Sequence, residues 1–109
     1  MNRILQQMEI IIDPTKITHY LLVPKEKNDK SKFLYKLGYN LENWQELEND
    51  IRKIVLENEV VFQKNAPFDG KLFEVKGQLR NLGVITIWLL LENPTIFRFI
   101  TLFPDKSNE

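Results

Sequence analysis

Lys16, His19 and Tyr20 lie within five consecutive positions and carry side-chain types suited to cleaving a phosphodiester without a metal. That chemistry needs a base for the ribose 2′ proton, an acid for the leaving oxygen, and cations or donors for the charge growing on phosphate. Lys16 and His19 are three positions apart, so on a helix they share a face. The same spacing suits a partly exposed histidine that merely flanks the apolar stripe of Ile17, Tyr20 and Leu21.

Other polar residues stand where apolar ones are expected. Arg98 interrupts an apolar last strand; it can bind phosphate as a planar multi-donor cation, or sit at a sheet edge or pair with Glu74 on a neighbouring strand. Thr101, three positions on, faces the opposite side of a regular strand, so a site using both requires a bulge or the strand end. Lys71 follows the Asp69-Gly70 turn and can reach a ligand over the sheet or simply protect an edge. Lys25, Lys27, Lys30, Lys32 and Lys36 form the one basic cluster. With Tyr35 and Tyr39 interleaved it can attract phosphate and stack bases, although Glu26 and Asp29 within it favour a plain solvated face on charge grounds. Trp44 and Trp88 fall in apolar stripes and are expected in the core.

Composition narrows the classes. With 109 residues, 43% of them hydrophobic, the chain has the length of one domain with one core, expected over 1–104 and followed by a polar tail over 105–109. The absence of cysteine removes disulfides, thiolate metal sites and cysteine nucleophiles, and suits a reducing cytoplasm. A single histidine excludes multi-histidine metal motifs, and neither serine, Ser31 or Ser107, sits in a nucleophile elbow. No metal or cofactor is expected. No apolar run is long enough to span a bilayer, and Gln6 and Gln7 interrupt the start where a signal peptide needs an apolar block. The chain is expected to be soluble and cytoplasmic. Fifteen basic against fifteen acidic residues argue against a broad nucleic-acid surface and allow self-association. By segment, residues 1–38, 39–59 and 60–109 carry +3, −4 and +1, which leaves room for a small local phosphate site.

The elements that must position these residues are legible from periodicity. Asp13-Pro14 predicts an N-cap and first helical position, with a helix to about Leu22. A second helix is expected over Asp29 to Leu37, closed by Gly38. Asn40 caps a third, Leu41 to Glu57, whose buried stripe is Leu41, Trp44, Leu47, Ile51, Ile54 and Val55. From Val60 the period falls to two. Turns at Asn65 to Gly70, Asn81 to Gly83 and Asn93-Pro94 separate four strands, and Val84 to Leu91 is apolar enough to be covered on both faces. The fold class is α+β, with N-terminal helices packed on one face of a four-stranded antiparallel meander sheet.

The ordered set Lys16-Ile17-Thr18-His19-Tyr20-Leu21-Leu22, Lys30, Phe33-Leu34, Leu37-Gly38-Tyr39, Trp44, Leu47, Gly70-Lys71, Thr86-Ile87-Trp88 and Arg98 to Pro104 resembles a family of small bacterial domains, DUF6883, over nearly the whole chain. Its layout is similar, at the level of fold, to metal-independent ribonucleases of the barnase, EndoU, colicin and RelE group. The resemblance implies a toxin-like ribonuclease acting on RNA, with Lys16, Lys30, Lys71 and Arg98 holding phosphate and Thr101 or His19 near the scissile bond. Where the family carries an acidic or small polar residue before the tyrosine, this chain has His19. The alternative class is a noncatalytic interaction module, partnered by an antitoxin-like small protein or by a second copy of itself.

Overall fold

The computed structural model describes residues 8–27, 29–92 and 94–106. The apolar stretch before Asp13 is itself a strand, β1 (Glu9–Ile11), which pairs in parallel with the last strand. The remaining strands, β2 (Val60–Asn65), β3 (Lys71–Leu79), β4 (Leu82–Leu91) and β5 (Ile96–Pro104), form the expected antiparallel meander. The sheet therefore has five strands in the order β1-β5-β4-β3-β2, not four, and is mixed. A three-residue strand leaves almost no alternation to detect, which is why β1 escapes the periodicity.

Asp13 caps the first helix as expected: its carboxylate accepts from the Thr15 backbone at 3.0 Å, and Pro14 opens the helix. Only Pro14–Lys16 is α-helical (α1); Ile17–Leu21 continues as a π-helix, closed by Leu22 N–H donating to Ile17 O at 3.0 Å. The second helix, α2, is shorter than predicted, Ser31–Lys36. Asp29 stays outside it and accepts from both the backbone and the hydroxyl of Ser31 at 2.7 and 2.6 Å. Gly38 takes φ 94°, the left-handed conformation that ends a helix and that side chains resist.

Asn40 caps the third helical segment through a reciprocal capping box with Asn43. The first turn is 3₁₀ (Leu41–Asn43), and α3 proper is Trp44–Glu57. Because the tighter turn rotates its side chains out of the α-helical stripe, Leu41 is exposed, contrary to expectation, while Leu47, Ile51, Ile54 and Val55 are buried. The helix lies against β3 at Gly77, where any Cβ would come within 2.7 Å of Ile54 Cγ2.

Pairing assigns the two sheet faces. Phe73, Val75, Leu79, Val84, Thr86, Trp88, Phe97, Phe99 and Leu102 share the face under the helices and build the core or pack on it. Trp88 is fully buried as expected, stacked on Phe97 at 5.4 Å, and its indole N–H donates to Thr86 Oγ1 at 2.8 Å. Thr86 in turn donates to Val75 O at 2.7 Å, so the buried polar pair is satisfied. Trp44 is half-buried and packs on the core. The β3–β4 turn is Arg80-Asn81, one residue earlier than predicted, with Arg80 at φ 57°. Pro104 ends β5, and Asp105, the first residue of the expected tail, donates its N–H to Gly83 O at 2.9 Å. Asn93 of the last predicted turn, and 107–109 of the tail, lie outside the described residues.

Candidate functional site

Tyr20 is the centre of the one place where several of the singled-out residues meet. Two residues after β1, α1 begins, and the π-helix that continues it carries Tyr20 to β5, where its hydroxyl and Thr101 Oγ1 are hydrogen-bonded at 3.2 Å. Two ammonium groups lie over its ring: Lys25 Nζ at 3.9 Å from the centroid and Lys16 Nζ at 5.4 Å. Each such contact contributes about 0.5–1 kcal/mol at an exposed site. Two positions along the same strand, Lys30 Nζ lies 5.3 Å over the Phe103 ring. Three lysines are thus gathered over two aromatic rings beside a hydroxyl pair.

A bulge supplies what the strand geometry demanded. Between Trp88↔Phe99 and Ile87↔Thr101 the register shifts, leaving Ile100 as the extra residue on β5. Arg98, opposite Leu89, and Thr101, opposite Ile87, therefore both face away from the helices, in successive rows. Arg98 is also close enough to Asp13 for its charge to reach that carboxylate. The Thr15 hydrogen bonds hold Asp13 below the ordinary carboxylate range, and Arg98 and Lys16 push in the same direction. Lys16, Lys25, Lys30, Arg98 and Thr101 are accordingly disposed around one rim of the sheet.

Two expected members lie elsewhere. Lys71 opens β3 opposite Leu90, in the row of Phe97; it alternates with Phe73 and Val75 onto the helix side of the sheet, the face opposite to Arg98, and lies three rows from Thr101 with β4 between. His19 is exposed, and its Nδ1 is hydrogen-bonded to the neighbouring Thr18 Oγ1 at 2.8 Å instead of joining Tyr20 and Thr101. The wider turn of a π-helix aligns residues four or five apart, so Lys16 meets Tyr20 and not His19. Arg98 and Glu74 do not pair either, because β4 runs between their strands.

The aromatic partners of the basic cluster also differ from expectation. Tyr39 is buried and donates to Asp50 Oδ2 at 2.6 Å; Tyr35 donates to Leu22 O. Burial and the Asp50 carboxylate push the Tyr39 phenol well above its ordinary 10.0, with the Arg80 guanidinium opposing. Arg80 lies 4.2 Å over the Tyr39 ring, donates to Leu37 O and pairs with Glu46 at 3.3 Å, so this group clamps the sheet to the ends of α2 and α3. Tyr20 and Phe103 take the place of Tyr35 and Tyr39. Lys25 and Tyr20 are within reach of sequence reasoning through their cation and ring types; the contribution of Phe103 depends on the bulge and leaves no local signal.

Among the described residues no three Asp, Glu or His side chains are grouped to hold a metal ion, and no helix is long and apolar enough to cross a membrane. A polar cavity of about 600 Å³ lies between α3 and β3, lined by Asp50, Lys53, Glu57, Asn58, Gln78 and Arg80, none of which is among the residues around Tyr20.

No curated protein and no solved structure matches the chain. A family model, described as a domain of unknown function (DUF6883), matches residues 3–106 and so takes in every strand, every helix and all the residues around Tyr20. The chain belongs to the DUF6883 family.

Proposed function

We propose that the rim around Tyr20 and Thr101 holds the phosphodiester backbone of RNA. The observation that carries this reading is the convergence of Lys16, Lys25 and Lys30 on the Tyr20 and Phe103 rings, with Arg98 in the next row of the same face. Cations beside half-buried aromatic rings suit single-stranded nucleic acid, where phosphates follow the charges and bases stack on what the rings leave open. The mutual repulsion of gathered lysines is relieved when an anion enters. The hydroxyls of Tyr20 and Thr101 supply neutral donors for phosphate oxygens beside them.

Cleavage is the more demanding form of the same reading. It needs a proton acceptor for the ribose hydroxyl, and the side chain best suited to that exchange, His19, is bonded to Thr18 and not aimed at the rim. Binding without cleavage is therefore the form the geometry supports best. Incubating the purified chain with single-stranded RNA in the presence of a chelator separates the outcomes by electrophoresis. Retarded, intact RNA is expected, with retardation lost in a Lys16→Ala/Lys25→Ala/Lys30→Ala variant and kept in Lys71→Ala. Free mobility at high protein excess contradicts the proposal; shortened RNA that depends on Thr101 or His19 moves the assignment to a metal-independent ribonuclease.

A further inference from the structure

An antiparallel sheet with one solvated face alternates apolar and polar residues, and β4 does not. Its positions facing away from the helices are Ile85, Ile87, Leu89 and Leu91, flanked by Leu72 on β3 and by Phe103 on β5. All six are half-buried, and none belongs to the core or to the shell packed on it. The face is apolar at its centre and charged on β3, where Glu74 and Lys76 point to the same side two residues apart. Among the described residues neither has an ion pair or side-chain hydrogen bond.

We infer that a second copy of the chain covers this face, related by a two-fold axis that crosses β3, β4 and β5 at the row Val75–Thr86–Leu102. Three features select a copy of the same chain. Under that axis the row of Glu74 and Ile87 is laid over the second copy's row of Lys76 and Ile85, so each Glu74 meets a Lys76 and the charges are self-complementary, as an isologous contact requires. The next row brings Leu89 over the second copy's Gly83, a large side chain over a position without one. Size agrees as well: strands of 3, 6, 9, 10 and 9 residues spaced about 4.8 Å apart present roughly 600 Å², the lower end of the roughly 600–1,000 Å² per partner of a standard stable interface. Zero formal charge adds no long-range repulsion. Arg98, Thr101 and Phe103 face this same side, so a second copy and a phosphate chain compete for the β5 rim. The dimer itself does not depend on the RNA reading, and its test measures mass alone.

Sedimentation of the full chain over a micromolar to millimolar range, without nucleic acid, is the test. A monomer–dimer equilibrium is expected. Glu74→Lys and Lys76→Glu each weaken it by about tenfold or more, because each single change creates two like-charge contacts. The double exchange Glu74→Lys/Lys76→Glu restores it, which mere loss of folding cannot do; circular dichroism confirms that the single variants remain folded. A chain that stays monomeric throughout overturns the inference, as does a dimer indifferent to both single changes or not rescued by the exchange.

Discussion

At the scale of single residues, the polar groups in and near the core are satisfied pairwise, and their removal has a predictable sign. Thr86 is fully buried and serves both Val75 O and the Trp88 indole. Thr86→Val keeps the volume but strands the Trp88 N–H, so urea denaturation is expected to show a loss of about 1–3 kcal/mol. Thr101→Val, by contrast, removes only a half-buried partner of Tyr20 and is expected to leave stability within about 0.5–1.5 kcal/mol of the parent. Tyr39 gives a pH signature. Its folded-state pKa is raised, so the stability tied to the neutral phenol is full below the ordinary 10.0 and lost as pH rises through the raised value. Tyr39→Phe is expected to lower stability at neutral pH and to flatten that alkaline loss, read by thermal unfolding across pH.

At the scale of elements, two irregularities make the site. The π-helix turns Tyr20 and Lys16 onto a common side, and the bulge at Ile100 brings Arg98 and Thr101 onto one face. Neither is visible in a hydrophobic pattern, because both insert a single residue into an otherwise correct period. This is why the sequence places His19 beside Lys16 and why Thr101 looks opposed to Arg98. The elements themselves are legible where capping and period agree: Asp13-Pro14, Asn40 before α3, Gly38 after α2, and the four meander strands. Helix-to-sheet distance rests on Gly77. Gly77→Ala places its Cβ 2.7 Å from Ile54 Cγ2, and α3 must move; a cost of about 1–3 kcal/mol is expected in chemical denaturation. Asp29 makes the entry to α2 acid-sensitive. Its hydrogen bonds to Ser31 lower its pKa below the ordinary 3.8, so the contribution is present above that value and lost as pH falls through the lowered one. Asp29→Asn is expected to weaken the acid-side fall in stability.

For the whole molecule, neutrality conceals two differently used sheet faces. One carries the core under the helices; the other is apolar along β4, with cations and aromatic rings at its β5 rim. An apolar β4 reads in the sequence as a strand covered twice, yet the described residues cover it once, and that mismatch is what points to a second copy. Of the lysines singled out in the sequence, Lys16, Lys25 and Lys30 reach the Tyr20 rim, and Lys71, chosen from its place after a turn, does not. The most direct measurement of the central claim is the salt dependence of binding to a single-stranded oligoribonucleotide, followed by fluorescence anisotropy. Four cations engaged with phosphates predict a slope of log K against log salt of about −3, falling by about 0.7 for each of Lys16→Ala, Lys25→Ala and Lys30→Ala and unchanged by Lys71→Ala. Equal slopes for all four variants, or no binding at low salt, contradict the assignment of the Tyr20 rim to RNA.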